Sequence, residues 1–200
     1  MTTTTANPSA VATKPVAASS KTASLWLPAL TLWRRELVRF FRQRNRVVSA
    51  LITPVLFYLM LGAGLNRSFV NPSALAEGGA GVGYMVYFFP GTITMILLFT
   101  AIFSTITVIE DRREGFLQGV LVSPAPRVAI VLGKVLGGAS IAMIHAIVFL
   151  ILWPFVAPSV NVGLMLAAIP VMVVLSVMLT AMGMCIAWPM DSTAGFHAVM

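Results

Sequence analysis

Apolar residues in this chain fall in long unbroken runs, not in alternation with polar ones. The runs cover about residues 47–64, 82–109, 128–157 and 164–187, and each is long enough for a helix to cross a bilayer. Barrel strands would show ten-residue alternation, and hydrocarbon leaves no water to satisfy open backbone groups. The pattern therefore predicts an all-α polytopic membrane protein with four transmembrane helices. Pro54, Pro90 and Pro170 fall inside three of the runs and predict kinks. Gly62 and Gly64 close the first run, and Pro154 and Pro158 mark the far end of the third. Tyr84, Tyr87, Phe88 and Phe89 open the second run as an aromatic interface belt, ahead of Pro90-Gly91.

A different periodicity precedes the first run. On a helix, Leu30, Trp33, Leu37, Phe40 and Phe41 share one face. Arg35, Arg39, Arg42 and Arg46 share the opposite face, spaced 4, 3 and 4. This predicts a basic amphipathic helix lying in the headgroup plane with its aromatic side inward. Arg34 and Arg44 sit at the edge of the apolar face, where long side chains snorkel.

Between the second and third runs lies the stretch 110–127, EDRREGFLQGVLVSPAPR. It opens with consecutive charges, Glu110, Asp111, Arg112, Arg113 and Glu114, which at a bilayer centre would cost about 2.5–3.5 kcal/mol each. The block must lie outside hydrocarbon. After Gly115, Phe116, Leu117, Val120 and Leu121 return at helical spacing, with Gln118 and Gly119 facing away. Ser123-Pro124 and Pro126 end that helix, because a residue before proline avoids the helical region. A short helix joined stiffly to two spans is suited to pass the movement of a soluble partner into the membrane.

Residues 1–24 are rich in Thr, Ala, Ser and Pro and predict a disordered tail, leaving 25–200 as one membrane domain. Past the fourth run, Trp188-Pro189 and a polar link with Asp191 lead to the apolar residues 196–200. The chain is thus expected to be truncated at the opening of a fifth span.

Composition agrees with the pattern. The chain of 200 residues is 58% hydrophobic and 10% charged, against about 25% charged in ordinary soluble domains. The net charge of +7 belongs to basic residues flanking spans, and no aromatic-basic surface points to nucleic acid. Of the 13 Lys and Arg residues, all but Arg67 fall on the side of the amino terminus and the 110–134 region. The positive-inside rule places that side in the cytoplasm of a cell-membrane protein. Lys134 is expected near the inner interface with its side chain snorkelling, and Gly133 and Gly137 permit close helix approach.

Catalytic chemistry is not visible. No nucleophile–base pair or paired intramembrane carboxylates occur, and Gly133-Lys134 is followed by Val135, which fails the phosphate-loop pattern. Cys185 alone forms neither an internal disulfide nor a metal site. His145 is the ionisable residue deepest in a run, and a hydrogen-bonded structural role is favoured over proton relay, since no second titratable group accompanies it. An ion-coupled secondary carrier is the alternative reading, and it would rest on His145.

The run from Arg113 to Arg127 resembles the cytoplasmic loop of type 2 ABC exporter permeases, which include daunorubicin-type, nodulation lipo-oligosaccharide and polysaccharide exporters. The resemblance extends over the basic helix before the first span, Pro54, Gly62 and Pro90-Gly91, from about Leu30 to the chain end. It implies a permease of about six spans that dimerises with a second permease subunit and works with separate cassette subunits, which bind ATP and Mg. This chain would bind no cofactor itself. Glu110, Arg112, Arg113, Glu114, Gly115, Leu117, Gln118, Leu121, Ser123 and Pro124 would form the coupling element. Trp33, Arg35, Arg39, Arg42 and Arg46 would belong to the interfacial helix. Gln118 departs from the Glu common in relatives. The cargo would be a drug, lipid or glycan, and the sequence names none.

Overall fold

The computed structural model describes residues 25–65, 84–123, 125–156 and 162–199, without the side chains of Ala63, Val162 and His197. The tail 1–24, the loop after the first span and Pro124 lie outside the described residues. Among the described residues, eight helices follow in order: α1 Trp26–Arg42, α2 Arg44–Leu65, α3 Tyr84–Arg113, α4 Phe116–Val122, α5 Arg127–Leu150, α6 Trp153–Val156, α7 Val162–Ala187 and α8 Thr193–Val199. No strand occurs among the described residues. Four segments, Arg44–Gly62, Tyr84–Arg113, Arg127–Val156 and Gly163–Ala187, are long and apolar enough to cross a membrane. This is an all-α polytopic membrane protein.

The spans alternate in direction. Ser104 of α3 faces Gly138 of α5, while Asp111 bonds Lys134, so α3 and α5 are antiparallel. Thr105 meets Gly183 and Arg112 meets the Trp188 carbonyl, so α7 runs parallel to α3. α3 is the central helix, packed against α2, α5 and α7. Its small hydroxyl residues make that possible. Thr105 turns its Oγ1 back to the Ala101 and Ile102 carbonyls at 3.0 Å each, which satisfies the hydroxyl without a neighbour.

Helices run through Pro54, Pro90 and Pro170. The third apolar run differs: α5 ends at Leu150, and α6 begins at Trp153 just before Pro154. Proline tolerates the first turn of a new helix better than the middle of an old one. At the end of the bundle away from the charges, Phe89 stacks on Phe149 at 4.7 Å and Tyr58 meets Phe149 edge-on at 5.5 Å. Phe89 is therefore buried in protein and does not join an interface belt, whereas Tyr87 is exposed.

α1 departs most from its expected placement. It packs along α5, its largest contact partner. The contacts climb together: Ala29 and Leu32 lie at Gly133, Glu36 at Gly137 and Phe40 at His145. Its buried stripe is Ala29, Leu32, Glu36 and Phe40, and Leu30 and Phe41 of the expected apolar face are exposed. A Cβ on Gly133 would stand 2.8 Å from the Ala29 carbonyl oxygen, and one on Gly137 would stand 2.8 Å from Glu36 Cβ. The small-residue pair thus seats α1, not another span. The helix also breaks at Gln43 (φ −91°, ψ 74°), which assigns Arg44 and Arg46 to the head of α2.

Candidate functional site

α3 is 30 residues long, about 45 Å at 1.5 Å per residue, whereas hydrocarbon spans only about 30 Å. The surplus belongs at the end that carries charge. There α1, α3 and α5 converge on Asp111 and Lys134, both buried, and α2 reaches the neighbouring Glu110.

Asp111 is the centre. Arg35 donates to it twice, Nη2 to Oδ1 at 3.0 Å and Nη1 to Oδ2 at 3.1 Å. Arg39 donates to Oδ1 and Lys134 to Oδ2. Lys134 Nζ also reaches Glu36 Oε1 at 2.7 Å, and the other Glu36 oxygen accepts from Thr107 Oγ1 at 3.1 Å. Arg46 donates to Glu110 Oε1 at 2.6 Å, and Arg39 lies 3.2 Å from Glu110 and 3.6 Å from Glu114. Arg35, Arg39, Arg46 and Lys134 are thus set against Glu36, Glu110, Asp111 and Glu114, and the charges balance. Balance and hydrogen bonding are what let Asp111 and Lys134 sit out of water, since an unpaired buried ion costs several kcal/mol. Lys134 was expected to snorkel. It is instead 4% exposed and held by two carboxylates.

The network continues to the surface. Gly115 takes a left-handed conformation (φ 74°), the sole positive φ among the described residues, and turns the chain from α3 into α4. Most L-residues there would cost about 1–2 kcal/mol. α4 then runs from Phe116 to Val122, and Ser123 ends it in an extended conformation. Its Oγ caps the Val120 carbonyl at 2.6 Å and takes the Ala125 N–H at 3.4 Å. Leu117 anchors α4 to Leu32 and Ile130, and the Arg35 guanidinium lies 3.6 Å over the Phe116 ring. Gln118, Leu121 and Val122 point outward, Val122 at 88% exposure. Leu121 thus leaves the face it was expected to share with Leu117. Leu121, Arg127, Ile130, Val131 and Trp188 border a hollow of about 290 Å³ beside α4.

Not every expected site residue joins this network. Arg112 pairs with Asp191 at 3.3 Å and packs over Trp188, and Arg113 Nε donates to the Asp191 carbonyl at 2.8 Å. These two tie α3 to the link before α8. Trp33 donates to Ser140 Oγ at 3.0 Å, fastening α1 to α5. Arg42 makes no ion pair among the described residues. His145 is buried edge-on against Phe40, with ring centroids 5.5 Å apart, and no side chain hydrogen-bonds it.

Sequence reasoning missed Glu36, Asp111 and Lys134 as members of the site. The signal was present. Lys134 is a lone cation inside an apolar run, and Glu36 is the one acid on a basic helix. Each required a distant partner.

The site is thus a short exposed helix held by a buried ionic network at one end of a span bundle. The family model described as ABC-2 type transporter matches residues 29–199. The chain belongs to that family. It is a membrane permease subunit, not itself an enzyme. No curated protein and no solved structure matches it.

Proposed function

We propose that this ABC-2 permease exports a drug, lipid or glycan across the cell membrane, driven by ATP hydrolysed on a separate cassette subunit. α4 would be the surface that the cassette grips, with the amino-terminal side in the cytoplasm. The observation that carries this reading is the continuity from Phe116 through Arg35 and Asp111 to Lys134. A push on α4 meets α1, α3 and α5 at once. ATP and Mg would bind the partner, and a second permease subunit would complete the transporter.

The test is co-purification with the cassette partner. Glu114→Arg reverses an exposed charge on the approach to α4, and Gly115→Pro removes the left-handed turn. Both should abolish stimulation of the partner's ATPase while the permease still folds, checked by its thermal unfolding in detergent. Intact stimulation in both variants would remove the coupling role. Transport that survives ATP depletion and collapses with the proton gradient would favour an ion-coupled carrier, with His145 its first suspect.

A further inference from the structure

The arginines around α1 divide into two sets. Arg35, Arg39 and Arg46 are engaged by Glu110 and Asp111. Arg34, Arg42 and Arg44 are exposed and make no ion pair among the described residues. These three are not scattered. Leu27, Leu30, Arg34, Val38 and Phe41 form one helical stripe, spaced 3, 4, 4 and 3, on the side of α1 turned away from α5. Leu27 is 68% exposed and Val38 58% exposed. Arg42 borders a hollow of about 290 Å³ with Val38, Gln43 and the engaged Arg35 and Arg39, and Arg44 opens α2 directly after the break.

An exposed apolar stripe needs an apolar environment. Arg34 lies on the stripe, Arg42 at its C-terminal edge and Arg44 just beyond the helix break, and exposed guanidinium groups beside an apolar surface attract anions. A phospholipid monolayer supplies both, acyl chains for Leu27, Leu30, Val38 and Phe41 and phosphates for the arginines.

We propose that the outward face of α1, with Arg34, Arg42 and Arg44, is a binding surface for anionic phospholipid headgroups. It selects anionic over zwitterionic lipid by charge, each arginine contributing about fivefold. The surface is separate from α4 and stands whether or not α4 meets a cassette.

Tryptophan quenching tests it, since Trp26 and Trp33 lie on α1. The full chain is reconstituted in equimolar phosphatidylcholine and phosphatidylglycerol, one of the two brominated in turn. The ratio of quenching gives relative binding. The parent should prefer phosphatidylglycerol by about a hundredfold at low salt. Arg34→Gln/Arg42→Gln/Arg44→Gln should reduce the ratio to near one. The corresponding triple Lys variant should keep most of it, since charge at the site is retained. All three proteins should unfold at the same temperature in detergent, because none of these side chains is engaged internally. A ratio near one in the parent overturns the proposal. So does an unchanged ratio in the Gln variant, and if that variant also loses its cassette partner, the arginines serve a protein contact instead. Should the triple Gln variant fail to fold, the three single Gln variants must each lower the ratio, and an unchanged ratio in all of them overturns the proposal as well.

Discussion

The two ends of the bundle are held by opposite means. At the far end, Phe89, Phe149, Tyr58 and Trp153 pack ring against ring, with Phe89 to Trp153 at 4.4 Å. Tyr58 also donates to the Met85 carbonyl there at 3.1 Å. At the near end, Asp111 is gripped by cations from α1 and α5. Ring packing is tolerant, and a displaced ring finds another contact of similar energy. An ionic network is not tolerant, because each member depends on the position of every other. The near end therefore fixes the register of α1, α3 and α5.

The largest predicted effect breaks the network at its centre. Asp111→Ala takes the shared carboxylate from Arg35, Arg39 and Lys134, leaving Arg35 and Lys134 to Glu36 alone and Arg39 to Glu110 and Glu114. The loss should be about 3–5 kcal/mol, read as a fall in unfolding temperature in detergent. Adding Lys134→Met should recover part of it, since the double variant removes a buried cation along with its partner. If the double variant is as damaged as the two single losses added together, the residues act independently and the network picture is wrong.

Phe89→Ala tests the other end. A large buried aromatic lost from a packed cluster costs about 3 kcal/mol. The contrast lies in its reach. This variant should leave a cross-link between cysteines at Trp33 and Ser140 unchanged, whereas Asp111→Ala should weaken it.

Gly137→Val isolates the seating of α1. The added side chain enters where Glu36 Cβ already stands 2.8 Å from a bare Cβ. Overpacking of this kind costs about 1–3 kcal/mol, and the Trp33–Ser140 cross-link should fall with it. A full cross-link yield would mean that α1 yields without leaving α5.

How far these features were legible follows from what kind of signal each leaves. The spans are written in unbroken apolar runs. α4 is written in Gly115 and Ser123-Pro124, which bracket it within a residue of its observed ends. The facing of α1 was not legible from hydrophobicity. In a bilayer, Leu30 and Phe41 are as well placed toward lipid as toward protein, so apolar character does not tell inside from outside. Polarity and small size decide instead. Glu36 and Lys134 lie 98 positions apart, and no local window links them. Gly133 and Gly137 mark the seat but do not name its occupant.

The smallest predicted effect is also the most specific. Thr107 Oγ1 donates to Glu36 at 3.1 Å and also lies 2.7 Å from the Ser104 carbonyl of its own helix. One hydroxyl proton cannot serve both fully. If Thr107 only satisfies itself, Thr107→Val should be nearly neutral, because the swap keeps the shape. If it belongs to the network, Glu36 keeps Lys134 and Arg35 on Oε1 and loses the donor to Oε2. The cost should then be about 1 kcal/mol, that of a single neutral donor to a charged acceptor in a partly compensated site. It should vanish in a Glu36→Gln background, where the carboxylate no longer needs the bond. A cost that persists there would assign Thr107 to the packing of α3 and place the edge of the network at Glu36.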